Sequence, residues 1–299
     1  NNLNQTLASG ERVLSLLEEA PLVEEIPGDA ASGGDHAFVG AEAQNVTFAY
    51  EDETILDQYS LKLEPGKITG IHGASGSGKS TIISLICRNY EFQKGEILID
   101  GIDIRKIKID SLRKKFGQML QDVFLFSGTI RSNIILREEG ISDEEIMDVC
   151  HYVNADQFIN KLDHGLDEPV RERGNNFSAG QRQLLSFART IIHKPSVMIL
   201  DEATANIDTE TELLIQDSME KMKNIGTMLI VAHRLSTIQH ADEIIVLSHG
   251  KIVEHGTHQE LLAAQGRYYQ LYTLQYHREQ SEKPVSYTHL RAHETVLDL

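Results

Sequence analysis

The chain has 299 residues, 40% of them hydrophobic and 24% charged, the balance of a globular protein with a sizeable core. No apolar run approaches the roughly 18–20 residues that span a bilayer, and a net charge of −17 argues against nucleic acid as a main partner. Two cysteines, Cys87 and Cys150, supply neither a disulfide framework nor a metal-ligand spacing, which suits a reducing compartment.

The acidity is concentrated at the front, where residues 1–60 hold twelve Asp or Glu against Arg12 alone. In that segment Leu3, Leu7, Val13, Leu14, Leu16 and Leu17 gather largely on one side at helical spacing. The pattern predicts a helix over residues 3–20, closed by Pro21 and Pro27 and followed by a small-residue linker over 28–35. Nothing in the sequence offers this helix a partner, so its packing surface is expected upstream of Asn1.

Next comes Lys67-Ile-Thr-Gly-Ile-His72, which alternates like a strand and runs straight into Gly73-Ala-Ser-Gly-Ser-Gly-Lys-Ser80. Residues 81–86 continue as an apolar, helix-compatible run starting at Thr81. Strand, glycine-rich loop and helix together are the context that a G-x-x-x-x-G-K-[ST] pattern requires. Its four fixed positions arise by chance about once in a hundred chains of this length. The chemistry explains the residue types. Gly73, Gly76 and Gly78 allow successive backbone N–H groups to turn inward around phosphate oxygens, with Ser75 and Ser77 between them. The following helix presents its positive dipole end to the same anion. Lys79 adds a full charge at the β- and γ-phosphates, and the Ser80 hydroxyl is placed to sit on Mg²⁺.

A second helix, predicted over residues 179–190, has Ser178 at its N-cap. The hydroxyl and the N–H groups after it form another anion site, or the serine serves only as a cap. Val197-Met-Ile-Leu200 then reads as a strand buried on both faces and ends in Asp201-Glu202. Carboxylates at a strand end occupy the crevice where open α/β sheets bind ligands. There Asp201 would hold Mg²⁺ through water and Glu202 would accept a proton from an attacking water. A further apolar strand, Met228-Leu-Ile-Val-Ala232, delivers His233 to the same edge. Farther on, Tyr268, Tyr269, Tyr272 and Tyr276 read as packing for a terminal helix. His255 and His258 are too few for a metal site. Residues 285–295 resemble one reading frame of a sequencing-library adapter, so 283–299 is expected to be a non-native tail, a genuine disordered tail being the alternative.

Between phosphate loop and acidic strand lies Asn175-Asn-Phe-Ser-Ala-Gly-Gln-Arg-Gln, which resembles the LSGGQ signature of the nucleotide-binding domains of ABC transporters. The resemblance runs from about residue 38 to 276. It implies an α/β fold: a P-loop NTPase core with a mixed β-sheet flanked by helices, an antiparallel β subdomain and an inserted α-helical subdomain. Residues 36–282 would form that domain, with the helical subdomain at about 122–192. Residues 1–35 would be the end of a last transmembrane helix plus an acidic linker.

The family also supplies roles. Tyr50 looks like the aromatic that stacks on adenine, and Gln121 like the glutamine that reaches Mg²⁺ and senses the γ-phosphate. On residues alone, the first is equally a strand-end aromatic and the second a surface amide. Arg171-Glu-Arg-Gly174 is similar to the loop that meets the membrane domain in exporters, Asp208 closes a stretch resembling the D-loop, and His233 resembles the switch histidine at the γ-phosphate. Phe177, Ser178, Ala179, Gly180 and Gln181 would bind the ATP held by a second nucleotide-binding domain packed head to tail. Phe177 and Ala179 depart from the usual Leu and Gly, and Asn206-Ile207 from the usual Ala-Leu. With Glu202 present, the site on this chain's own strands is expected to hydrolyse ATP. The phrases Phe126-Ser-Gly-Thr-Ile-Arg-Ser-Asn-Ile134 and Val231-Ala-His-Arg-Leu-Ser-Thr237 are similar to exporters that carry both domains in one chain. The implied setting is the cytoplasmic face of a membrane, in a homodimer or heterodimer. Two alternatives stand beside it: a non-transport ATPase of the superfamily, and a slow regulatory half of a heterodimer.

Overall fold

The computed structural model describes residues 38–119, 123–136, 138–201, 209–232 and 235–282, together with Val23. The helix expected over 3–20 and the tail expected over 283–299 lie outside the described residues.

The chain first builds an antiparallel sheet. β1 (Ala41–Tyr50) turns at Glu51 and Asp52 into β2 (Glu53–Leu63), with Ala41 opposite Leu63 and Tyr50 opposite Glu53. The buried residues of β1 switch parity, from Ala41 and Ala43 to Val46 and Phe48. A bulge between Ala43 and Val46, with Asn45 at φ 49°, absorbs the switch and keeps both pairs on the core side. β4 (Lys94–Ile99) joins the other edge of β1, and β5 (Ile102–Asp103) completes the order β2-β1-β4-β5.

A second sheet carries the strand that runs into the glycine-rich loop. It contains β3 (Ile68–Gly73), β6 (Phe116–Met119), β9 (Val197–Asp201), β10 (Thr227–Ala232), β11 (Glu243–Ser248) and β12 (Lys251–Gly256). Their order is β12-β11-β3-β10-β9-β6, parallel except for the antiparallel edge strand β12. Both faces are covered, which explains the unbroken apolar runs in β9 and β10. Val197, Ile199, Leu229, Val231, Ile245 and Leu247 face a core shared with the antiparallel sheet. Helix α1 (Lys79–Ile86) contributes Ile82, Ile83, Leu85 and Ile86 to that same core. The alternate residues, among them Met198, Leu200, Met228, Ile230 and Val246, face a second core made with helices.

Those helices follow α2 (Ile109–Lys114) and β6, as the resemblance implied. They are α3 (Ile130–Ile135), α4 (Asp143–Tyr152), α5 (Asp156–Ile159) and α6 (Ala179–Ile192), with a two-strand clasp of β7 (Gly128–Thr129) and β8 (Pro169–Val170). Thr129, Ser142 and Ser178 each start a helix with a reciprocal capping box, so three helix origins are fixed by local chemistry. Arg131 forms a bidentate pair with Asp143 and bonds Asp167 at 3.0 Å. It staples α3 to the start of α4.

The chain closes with α7 (Thr209–Lys223), α8 (Leu235–Ile238), α9 (His258–Ala264) and α10 (Arg267–Glu282). Tyr268 is fully buried and stacks on Tyr272, as expected of helix packing. Tyr269 instead faces solvent, because it sits one residue round the helix from Tyr268 and so on another face. Among the described residues no helix is long and apolar enough to cross a membrane.

Candidate nucleotide site

The loop between β3 and α1 is shaped by what surrounds it. A Cβ on Gly73 would lie 2.5 Å from the Leu247 carbonyl oxygen and 2.6 Å from the Ser77 hydroxyl, so only glycine fits. Gly76 and Gly78 take φ of +75° and +101°, the left-handed region where a side chain is strained. Gly78 is the N-cap of α1 and supplies no side-chain cap, leaving the first N–H groups of that helix to the loop. Backbone bonds tie the loop down: Ser77 N–H donates to Ala74 at 3.1 Å, and Gly250 N–H donates to the Ser77 carbonyl at 3.1 Å.

Lys79 is 6% exposed, and its Nζ donates to the carbonyls of Gly73 and Ala74 at 2.7 and 2.9 Å. The ammonium is therefore turned into the loop that precedes it, not out to solvent. Ser80 is exposed on the first turn of α1, with Thr81 buried beneath it. Ser75 and Gly76 line the exposed rim.

The neighbouring strands bring acid to this cradle. Ala232 on β10 pairs with His72 on β3, and Val231 pairs with Asp201 on β9. Asp201 therefore ends its strand on the same edge as the loop, two strands away, or roughly 10 Å at ordinary strand spacing. His72 is buried, and its Nδ1–H donates to the Ala232 carbonyl at 3.0 Å, locking the two strand ends together.

Tyr50 ends β1 and is 37% exposed. Phe48 and Tyr90 meet it edge-on, with ring centroids 4.7 and 5.1 Å away, which holds the ring upright beside open solvent. Ser178 caps α6: its Oγ accepts from Gln181 N–H at 3.2 Å, while Gln181 Oε1 accepts from Ser178 N–H at 2.9 Å. Phe177 is buried against Phe158, and Gly180 is buried while Ser178 stays exposed. Gln121, Glu202, Asp208 and His233 lie outside the described residues.

The sequence pattern of the family described as ABC transporter matches residues 56–205. The chain belongs to the ABC transporter family. It is similar to the ATP-binding protein exp8 of Streptococcus pneumoniae, 46% identical over 279 residues, which are 92% of this chain and 47% of that protein. It is also similar to an ATP-dependent lipid A-core flippase of Syntrophus aciditrophicus, 40% identical over 92% of this chain and 46% of the other. Among solved structures, a bacterial Atm1-family ABC exporter with ATP bound matches at a TM-score of 0.81 and 36% identity, over 91% of this chain and 47% of that one. The chain thus spans about half the length of the curated relatives it matches. Hydrolysis of ATP is the activity of the ATP-binding domains of this family.

Two further residues shape the site's surroundings without any sequence signal. Asn133 clamps the loop after β6, accepting from Phe126 N–H at 2.8 Å and donating to the carbonyls of Phe126 and Thr129 at 2.8 and 3.0 Å. Arg189 on α6 bonds that asparagine and the Phe124 carbonyl, and burial lowers its pKa. The clamp leaves Phe124 and Phe126 facing outward, edge to face at 5.1 Å. Only a fold that returns α6 against this loop creates the Arg189 bonds, to Asn133 and Phe124, 56 and 65 residues away in sequence.

Proposed function

We propose that this domain powers export across a membrane from its cytoplasmic face, through ATP-driven closure of two such domains packed head to tail. The observation that carries the reading is the buried Lys79 ammonium turned into a glycine loop, with Asp201 ending a strand two places along the same sheet edge. Residues 36–282 act as the nucleotide-binding unit, with residues of about 122–192 presenting the signature.

Adenine stacks on Tyr50, whose ring is already held upright by Phe48 and Tyr90. Gly73, Ser75, Gly76, Ser77, Gly78, Ser80 and Thr81 offer backbone N–H groups and hydroxyls to the phosphates, and Lys79 exchanges two carbonyls for β- and γ-phosphate oxygens. Ser80 and Asp201, which the strand register and the first helical turn put on one edge, fit the hard oxygen donors that Mg²⁺ prefers, with Gln121 as the third. When bound there, Mg²⁺ neutralises charge on the β- and γ-phosphate oxygens. Glu202 takes the proton of the attacking water, and His233 contacts the γ-phosphate. Ser178 of the facing copy, with Phe177, Ala179, Gly180 and Gln181, closes over the same triphosphate, and Asp208 lies at that seam. Closure is favoured by ATP only as far as ATP binds the closed pair more tightly than the open one.

Glu202→Gln tests the assignment. The variant should keep ATP affinity, lose about two to four orders of magnitude in turnover, and accumulate as an ATP-bound dimer in size-exclusion chromatography. A variant that stays monomeric with ATP and turns over at the wild-type rate would overturn it.

A further inference from the structure

Tyr50 stands at the end of β1, where one of the two flanking strands has already stopped. β4 pairs with β1 from Ala41 opposite Ile99 as far as Thr47 opposite Lys94. Ala49 lies two residues past Thr47 and turns its N–H and carbonyl to the same side. The side chain of Gln93 takes the place of the missing strand there. Its Oε1 accepts from Ala49 N–H at 2.9 Å, and its Nε2 donates to the Ala49 carbonyl at 3.1 Å. A carboxamide carries a donor and an acceptor side by side, as a peptide group does. Since Gln93 N–H already donates to the Thr47 carbonyl at 3.2 Å, the side chain extends the ladder one rung beyond it.

Gln93 reaches Ala49 from a segment that is itself fixed, and fixed to the phosphate loop. α1 begins at Lys79, and residues 87–93 lead from its end to β4. Arg88 is buried in this segment, bonding Glu91 at 2.9 Å and the carbonyls of Ile104 and Ile107 at 3.3 and 3.4 Å. Phe92 is buried beneath the Arg105 guanidinium, 4.7 Å from its ring centroid. Tyr90, between them, meets the Tyr50 ring edge-on at 5.1 Å. One rigid piece of chain therefore carries the start of the phosphate helix and two grips on Tyr50. Tyr90 holds the ring, and Gln93 holds the backbone behind it.

We propose that Gln93 is a positioning residue for ATP: by pinning Ala49 it holds Tyr50 at a set distance from the phosphate loop, so that base and triphosphate are met together. The proposal rests on the reading of Tyr50 as the adenine platform. A platform released from Gln93 must be ordered when the base arrives, and that cost lowers affinity. The phosphate contacts are untouched, so the loss falls only on ligands that carry a base.

The test uses the whole chain and isothermal titration with two probes, Mg-ATP and Mg-tripolyphosphate, the second carrying the phosphates without the base. Gln93→Leu keeps a side chain of similar bulk but loses both bonds. It should raise the Kd for Mg-ATP about threefold, a share of what a stacked base is worth, and leave tripolyphosphate binding unchanged. Added to Tyr50→Ala, the same substitution should have no further effect, because no ring remains to be placed. Unchanged ATP affinity in Gln93→Leu, an equal loss for both probes, or a full additional loss on top of Tyr50→Ala would overturn the proposal. Tyr50→Ala alone separates this from the underlying reading. If that variant binds ATP as the wild type does, the platform itself is wrong; if it is weakened while Gln93→Leu binds normally, only the positioning role is wrong.

Discussion

Lys79 is bonded to Gly73, six residues before it, through an Nζ-to-carbonyl contact of 2.7 Å that folds the ammonium over the loop. A buried cation needs such partners, and the triphosphate offers stronger ones than a carbonyl. Replacing Lys79 with Met keeps the aliphatic stem but loses every charge-assisted bond. ATP affinity should fall by at least about 30-fold, or about 2 kcal/mol. A fluorescent-nucleotide titration checks the value. As a second readout, ATP should raise the melting temperature of the wild type and leave that of Lys79→Met unmoved.

Gly73→Ala probes the same loop sterically. The new Cβ would meet a backbone oxygen of β11, Leu247, which cannot swing aside, as well as the Ser77 hydroxyl, which can. Overpacking of this sort costs about 1–3 kcal/mol, so thermal unfolding should shift down by several degrees, on the order of 4–10 °C. Gly66→Ala is the control. Unlike Gly73 it has a positive φ, of +70°, but nothing within 4 Å, so it should cost only the left-handed strain of about 1 kcal/mol.

The contrast between these positions and others shows what the sequence carried. The phosphate loop, the strands at 67–72, 197–200 and 228–232 and the cap at Ser178 were legible because each is written in contiguous residues: a turn pattern, a buried run, a polar residue before an apolar helix. His72 and Arg189 were not. Each acts on a backbone group brought close only by the fold, across 160 residues for His72 and 56 for Arg189, and no periodicity marks such a pairing. Tyr269 misled for a related reason, since its place in an aromatic run says nothing about which side of α10 it takes.

Tyr50 offers a flat ring with one edge pinned by Phe48 and Tyr90. Stacking of a base on such a ring is worth about 1–3 kcal/mol. Tyr50→Ala should therefore weaken ATP binding about tenfold, while Tyr50→Trp retains it. GTP, which presents a similar face, should lose a similar factor. Isothermal titration of both nucleotides against the three proteins checks this. If Tyr50→Ala binds ATP as the wild type does, the ring is only a lid on Phe48.

The helical insertion is joined to α7 through Asn154, and here stability and pH give separate readouts. Asn154 Nδ2 donates to Asp217 at 2.8 Å, Ser218 at 3.0 Å and the Leu214 carbonyl at 3.2 Å, while Lys221 reaches both Asn154 and Asp217. The residue is buried and left-handed at φ 59°. Asn154→Ala loses these bonds and strains the backbone. Asn154→Gly loses the bonds alone, so it should be less destabilising by about 1 kcal/mol in urea unfolding. Lys221 first, then Asn154, hold the Asp217 carboxyl below the usual carboxylate range. A depressed folded pKa means the contribution is complete above the unfolded value of about 3.9 and is lost as pH falls through the folded value. The gap in urea midpoint between wild type and Asp217→Asn should then be constant from about pH 5 to 7 and close in stronger acid. A gap that persists at the lowest pH would assign the effect to packing of α7 rather than to the charged carboxylate.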